Sequence, residues 1–351
     1  MMRIRTLFDK RHFCPTPKDI ENNELKKLAK RLKGDSEKEN LTNILEWQDR
    51  NIHFWWERWP FALLVVVAVA ALLFLLTCYA VGKLSHNTIY VWCLIAIALI
   101  GGCLFIGAIV LIVGYLVYSC IRYKIFIREK PIKEKMFEFM KVVYYTFTLR
   151  LPVDKILEYN LAVCRDYAKL TASLLFNIYP DSELYFITTP AHVAVGIEIK
   201  NKIYVIDQHL PILTIDKWKG KKKKIYIYKS KLIKDSRGKT IDVTFDMHAS
   251  ICRESKVDFP KINTEKLTEE IANILGIKQS SHKDEPDFKI TLPNYAIYYD
   301  DDEITKYSLI RAIKNRLENE VCGNMNKISK VNISQNEQNK RDLTAAVYLS
   351  T

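Results

Sequence analysis

Glycine and proline are scarce in this sequence, with 11 of each among 351 residues, while 49% of the residues are hydrophobic. A chain with so few turn-forming residues and so much apolar content is not globally disordered, and it is long enough for two structural units. The net charge of +13 is spread along the chain rather than gathered in one domain. We therefore expect no nucleic-acid partner.

Paired cysteines are also lacking. The sequence contains eight cysteines but no Cys-x-x-Cys pair, and the eight are Cys14, Cys78, Cys93, Cys103, Cys120, Cys164, Cys252 and Cys322. Neither a disulfide framework nor a zinc site has the necessary spacing. The cysteines fit a reducing compartment, and we expect no metal and no cofactor.

Charge is absent from two long apolar runs, Phe61–Val81 and Ile89–Ile121. As helices at 1.5 Å per residue, both are long enough for a bilayer core of about 30 Å. They predict a two-helix transmembrane hairpin with spans at about 61–81 and 90–118. Lysines and arginines gather outside the hairpin rather than in its loop. This bias predicts a multi-pass cell-membrane protein, with the lipid bilayer as a partner and both termini cytoplasmic.

The predicted hairpin divides the chain into five regions: a polar, amphipathic helical region at 1–59, the hairpin at 60–122, a domain at 123–260, a C-terminal helical region at 261–326 and a flexible tail at 327–351. The first region contains two helical patterns, Lys18–Lys33 and Glu37–Ile52. The first is compatible with lying on an anionic membrane surface or with packing against the domain. The tail is predicted from its content of Asn, Ser, Gln and Lys.

A cysteine begins the most regular helical pattern in the chain. From Cys164 to Tyr179 the apolar residues recur at helical spacing, and Pro180 with Asp181 ends the pattern. Cys164 is therefore expected in the first turn of a buried helix. Unpaired backbone N–H groups and the positive end of the helix dipole favour a thiolate there, as in many nucleophilic cysteines.

The segments that follow the helix have strand patterns. Ser182–Thr188, His192–Ile199 and Ile203–Ile206 are rich in β-branched and aromatic residues, with a turn at Asn201 and Lys202. An antiparallel meander about this turn brings His192, at the start of one strand, towards Asp207, at the end of the next. Such a carboxylate can orient an imidazole whose other side accepts the thiol proton.

The motifs Cys-Arg-Asp-Tyr-Ala at 164–168, His-Val-Ala-Val at 192–195 and the strand that ends in Asp207 together resemble the core of the transglutaminase-like superfamily of papain-like thiol enzymes. The resemblance covers roughly residues 140–220. It implies an α+β fold in which the transmembrane hairpin is joined to a papain-like core of one helix followed by an antiparallel sheet. Ala162, Val193 and Gln208 replace the glycine, aromatic and proline that are frequent in the family, which bears on substrate preference.

By this resemblance Cys164 is the nucleophile, His192 the general base and acid, and Asp207 the orienting acid. The chain is then a membrane-anchored thiol enzyme that acts on a protein or peptide substrate through an acyl-enzyme at Cys164. We expect a cysteine peptidase or amidohydrolase. Acyl transfer from protein glutamine, which crosslinks proteins, and a catalytically inactive membrane scaffold are the alternatives.

Three details of the predicted site stay open. His209, two residues past Asp207, is a rival base, although it falls in the loop after the strand. The Cys164 backbone N–H is the expected oxyanion donor, and Asn160 is a candidate for a second one. The sequence does not indicate the oligomeric state.

Overall fold

A computed structural model describes residues 10–54, 67–74, 76, 79, 102–103, 106–114, 117–118, 121, 131–147, 151–190, 192–219, 224–251, 262–277, 279, 284–321 and 324–350. The chain divides into two compact units. One comprises Met1–Phe54 with Pro152–Thr351, and the other comprises Trp55–Leu151. The candidate site residues all belong to the first unit.

The unit Trp55–Leu151 contains the segments in which the transmembrane hairpin is predicted. Over the described residues, the structure has no helix that is both long enough and apolar enough to span a bilayer. The predicted hairpin with spans at 61–81 and 90–118 is therefore wrong, as is the multi-pass cell-membrane location drawn from it. Much of both spans, including 80–101, lies outside the described residues.

The first unit begins with four helices, α1 (Lys10–Phe13), α2 (Pro17–Ile20), α3 (Asn23–Leu32) and α4 (Glu37–Asn51). Side chains of Thr16, Asn22 and Ser36 accept hydrogen bonds from the first-turn backbones of α2, α3 and α4, which satisfies donors that a helix start leaves unpaired. The apolar side of α3 is buried and packs against the later helix that Cys164 begins. Of the two arrangements open for this region, the structure shows packing against the domain.

The central helix of the unit is α7, Cys164–Ile178. It follows α5 (Ile132–Phe147, in the other unit), α6 (Val153–Tyr159) and a short strand β2 (Leu161–Ala162), which pairs in parallel with β1 (His53–Phe54). Almost every residue of α7 is buried, including polar ones. Thr171 is held by α4, because Gln48 Nε2 donates to its Oγ1 at 2.9 Å.

A six-stranded antiparallel sheet follows α7. Its strands are β3 (Leu184–Thr189), β4 (His192–Ile199), β5 (Lys202–Ile206), β6 (Leu213–Thr214), β7 (Ile225–Ser230) and β10 (Asp246–Ile251), in the order β10-β7-β3-β4-β5-β6. The β4–β5 turn is Lys200–Asn201, one residue earlier than predicted. Both residues have positive φ, 51° and 62°, as a two-residue hairpin turn of matching twist requires.

The two faces of the sheet have different coverings. On one face, Phe186 of β3 meets Phe13 of α1 with ring centroids 5.5 Å apart, and α1 packs against α7. On the other face, Ala194 and Val205 join a buried cluster with Trp218 of α8, Ile215–Lys219. Because strand residues alternate between faces, this division shows which way each site residue of β4 and β5 points.

The C-terminal part forms a second layer with its own core. It contains α9 (Thr264–Leu275), β11 (Phe288–Leu292), α10 (Tyr295–Tyr298), α11 (Glu303–Glu320), β12 (Ile328–Gln335) and β13 (Leu343–Leu349), and the strands form a three-stranded sheet in the order β11-β13-β12. The flexible tail predicted at 327–351 is thus replaced by two paired strands. Val331, Ile333, Ala345 and Val347 are buried there, since they alternate with the polar residues that suggested disorder.

Direct contacts join this layer to the six-stranded sheet. Asp302 caps α11 by accepting from the backbone of Ile304 and Thr305, and its other carboxylate oxygen accepts from the Tyr204 hydroxyl at 2.7 Å. Two short strands, β8 (Leu232–Lys234) and β9 (Thr240–Val243), form a separate hairpin. The C-terminal layer is therefore part of the compact unit that carries the candidate site.

Candidate active site

Cys164 is the first residue of α7, and its side chain is almost fully covered, with 8% of the residue exposed. The strand β2 and the extended Val163 lead directly into the helix. Asp166 caps the N-terminus of the helix, because its carboxylate accepts from the Val163 backbone N–H at 3.1 Å. As the first helical residue, Cys164 has a backbone N–H with no acceptor inside the helix. The thiol is thus fixed at the end of the helix where backbone donors accumulate.

His192 and Asp207 meet through the β4–β5 hairpin. The register pairs Val195 with Ile206 without a bulge, so Asp207, one residue further on, falls opposite Ala194. His192 lies two residues from Ala194 on the same face, which makes His192 and Asp207 a diagonal pair within side-chain reach. His192 Nε2 donates to Asp207 Oδ1 at 2.7 Å. The two side chains therefore meet without a β-bulge in the hairpin.

The His192 imidazole links Asp207 to Cys164. Burial favours the neutral ring, but the hydrogen bonds to Asp207 and to the Cys164 side chain prevail and raise the pKa of His192 to about 9. Since Nε2 is engaged by Asp207, Nδ1 is left for the thiol. The raised pKa favours the protonated ring, which lies against the cysteine that begins α7.

Trp218 is a site residue that the sequence interpretation missed. Its indole Nε1 donates to Asp207 Oδ2 at 2.9 Å. Its ring is stacked on that of His192, with centroids 6.2 Å apart and an interplanar angle of 27°. Both carboxylate oxygens of Asp207 are thus engaged, one by each ring. The available signal was that a buried tryptophan needs an acceptor for its N–H.

His209, the rival base, belongs to a different pair. His209 Nδ1 donates to Asp49 Oδ1 of α4 at 2.6 Å, and 58% and 47% of the two side chains are exposed. The hydrogen bond from His209 to Asp49 raises the pKa of this imidazole, and partial burial opposes the rise. Asp49 was not foreseen, because it lies 160 residues before His209 in the chain.

Asn160 ends α6 in the left-handed conformation, with φ of 54°. Its carbonyl oxygen accepts from the His53 backbone N–H at 2.8 Å, which ties β1 to the approach to Cys164. Across the parts of the chain that the structure describes, no three His, Cys, Asp or Glu side chains are grouped as a metal site would require.

The site combines a helix that begins at a cysteine with a histidine–aspartate pair at the ends of two neighbouring strands of an antiparallel sheet. This is the arrangement that the resemblance to transglutaminase-like proteins implies. A family profile described as a transglutaminase-like domain matches residues 23–237, a range that includes all three residues. The chain belongs to this transglutaminase-like family.

Two proteins of Methanocaldococcus jannaschii are similar to this chain. The UPF0252 protein MJECL39 is 30% identical over 341 residues, covering 91% of this chain and 92% of its own length. The uncharacterized protein MJECS12 is 51% identical over 51 residues, covering 14% of this chain and 73% of its own length. No solved structure gives a significant match.

Proposed function

We propose that this protein is a thiol-dependent hydrolase that cleaves peptide or amide bonds through an acyl-enzyme at Cys164. One observation carries the proposal: the imidazole of His192 is hydrogen-bonded to both Asp207 and Cys164, and its pKa is raised to about 9. An imidazolium beside a cysteine favours the thiolate, which is the nucleophilic form. Family membership supports the same class of chemistry.

Acylation uses the proton on His192. The Cys164 thiolate attacks the substrate carbonyl carbon, an S–C bond forms, and the π electrons of the carbonyl move to its oxygen. As the tetrahedral intermediate collapses, His192 donates its proton to the departing amine and the C–N bond breaks. The products are a thioester at Cys164, a free amine and a neutral imidazole.

Deacylation reverses the role of His192. The neutral imidazole takes a proton from water as the water oxygen attacks the thioester carbon, and the C–S bond then breaks. The acid leaves, and the thiolate and imidazolium are restored. Asp207 holds the ring so that one nitrogen serves the sulfur side in both steps, and its charge stabilises the imidazolium.

The proposal is tested with p-nitrophenyl acetate as an acyl donor. We expect a burst of p-nitrophenol and an acetyl group on the peptide that contains Cys164, detected by mass spectrometry, with Cys164→Ala as the control. No adduct on Cys164 would contradict the enzyme proposal and favour a non-catalytic binding role. Added amine distinguishes the acceptor, because faster release of the acyl group into an amide would indicate crosslinking chemistry instead of hydrolysis.

A further inference from the structure

Gln208 carries a polar group for which the described residues supply no hydrogen-bond acceptor. Its side-chain amide nitrogen, Nε2, is shielded from solvent and has no hydrogen-bond partner among the described residues. A buried amide N–H₂ without an acceptor is unfavourable, and such groups in native proteins call for an explanation. Gln208 directly follows Asp207, one of the residues that we propose to be catalytic.

The sheet shows on which face the chain leaves β5. Asp207 contacts Trp218, on the same face as Val205. Ile206, the last residue of β5, lies on the opposite face because strand residues alternate, and Gln208 is in the bend that follows. Phe186, Val195 and Ile206 are cross-strand neighbours on that face, and the contact of Phe186 with Phe13 identifies it as the face that α1 and α7 cover.

The residue after Gln208 shows where the bend leads. His209 is bonded to Asp49 of α4, and α4 is bonded to α7 through Gln48 and Thr171. The loop after Asp207 thus turns towards the layer of α4 and α7. Cys164 starts α7 at the end of the sheet where its side chain reaches His192. Gln208 therefore lies in the chain between Asp207, which bonds His192, and His209, which bonds the helix that packs on α7.

We propose that Gln208 is a catalytic residue whose Nε2–H₂ donates to the oxyanion formed when Cys164 attacks a carbonyl, together with the Cys164 backbone N–H. This inference rests on the proposed function. When the S–C bond forms, the carbonyl π pair becomes a negative charge on oxygen, and a preformed, water-shielded donor stabilises that charge. When the C–O double bond is restored and the leaving group departs, the amide is released unchanged.

Gln208 suits this role better than Asn160. The Asn160 backbone is committed to β1 through the His53 N–H, and its φ of 54° fixes the end of α6. The Gln208 amide, by contrast, is buried and has no acceptor of its own within the described residues. A substrate carbonyl would supply the missing acceptor.

Two reactions at the same sulfur separate this role from a structural one. Acetylation by p-nitrophenyl acetate passes through an oxyanion, whereas alkylation by iodoacetamide displaces iodide and forms none. For Gln208→Met, which keeps the side-chain length but removes the donor, we expect acetylation of Cys164 to slow about 10²-fold. Alkylation should stay within about twofold of wild type.

Stability provides a second readout. Because the native amide has no partner to lose, Gln208→Met should unfold at a temperature equal to or above that of wild type. Asn160→Gly is the control, since glycine keeps the positive φ and should leave acetylation within about twofold. Gln208→Glu, which replaces the donor by an acceptor of the same shape, should slow acetylation at least as much as Gln208→Met.

The outcomes are distinct. Normal acetylation in Gln208→Met and Gln208→Glu would overturn the inference and leave the proposed function intact. Equal losses of acetylation and alkylation, or a lowered unfolding temperature in Gln208→Met, would overturn it by assigning Gln208 a structural role. Wild-type protein that is alkylated but never acetylated at Cys164 would overturn the proposed function and the inference together.

Discussion

Two histidine–aspartate pairs share almost the same geometry, and their histidines, His192 and His209, lie 17 residues apart in the chain. His192 bonds Asp207 at 2.7 Å, and His209 bonds Asp49 at 2.6 Å. Their surroundings differ. The first pair has side chains 25% and 26% exposed and a cysteine on the free side of the ring, whereas the second has side chains 58% and 47% exposed. A carboxylate alone therefore does not mark a catalytic histidine.

The two pairs differ in whether a third side chain holds them and in how far they are exposed to solvent. Trp218 stacks on His192 and donates to Asp207, so the ring and the carboxylate are both held in one orientation. His209 receives its pKa rise mainly from the hydrogen bond to Asp49, which is an exposed ion pair of small energetic value. We infer that only the first pair is built to exchange a proton with a nucleophile.

Removal of each imidazole in turn is expected to give the largest difference between the two pairs. His192→Ala should reduce acylation of Cys164 by about 10³-fold or more, because the thiolate loses the cation that stabilises it. His209→Ala should stay within about twofold. Burst kinetics with p-nitrophenyl acetate measure both rates. A greater loss in His209→Ala than in His192→Ala would reverse the assignment of the base.

Removing each carboxylate charge gives the next effect. Asp207→Asn should lower the acylation rate by about 10²-fold, since the amide no longer stabilises the imidazolium. It should also move the alkaline limb of the rate profile from near pH 9 to lower pH, because Asp207 helps to raise the pKa of His192. Asp49→Asn is the matched control. Similar profiles for the two variants would show that the pairs are equivalent.

Trp218 should contribute less than either triad partner. Trp218→Phe keeps an aromatic ring beside His192 but removes the N–H that reaches Asp207 Oδ2. The loss of one hydrogen bond to a charged group, about 1.5–3 kcal/mol, corresponds to a rate decrease of roughly 10- to 100-fold if it is fully expressed. We expect a decrease of roughly 10-fold in kcat, with KM unchanged. A change confined to KM would assign Trp218 to substrate binding.

The smallest expected effect is on the pH dependence of the free energy of unfolding. A raised pKa means that the folded protein binds the His192 proton more tightly than the unfolded chain does. The resulting stabilisation is complete below the unfolded value of about 6.5 and is lost as the pH rises through about 9. Urea unfolding at pH 6 and pH 10 should therefore show a smaller pH-dependent loss in Asp207→Asn than in Asp49→Asn. The opposite ranking would contradict the assigned pKa.

Local patterns predicted the elements that present the site, but not the contacts that complete it. The helical period indicated α7, and β-branched alternation indicated the meander of β3, β4 and β5. Trp218 was missed because it reaches the site through tertiary packing, and Asp49 was missed as the partner of His209 for the same reason. No spacing rule predicts either contact. The strands β12 and β13 were missed because polar composition was given more weight than alternation.

The transmembrane prediction was wrong for a related reason. Hydropathy over 61–81 and 90–118 was interpreted by length alone, and the helices that the structure describes there do not reach the required apolar length. Residue content thus predicted the secondary structure around Cys164 better than it predicted the environment of the apolar runs. The roles of Cys164, His192 and Asp207 stay predictions that the following measurement addresses.

The most direct test compares the alkylation of three cysteines in the intact protein. Cys164 is buried, Cys14 is half-buried and Cys103 is exposed. With iodoacetamide at pH 6 and peptide mass spectrometry, an imidazolium-stabilised thiolate predicts that Cys164 reacts first despite its burial, and that His192→Ala abolishes the preference. Alkylation in the order of exposure, with Cys164 last, would contradict the central claim that His192 activates Cys164.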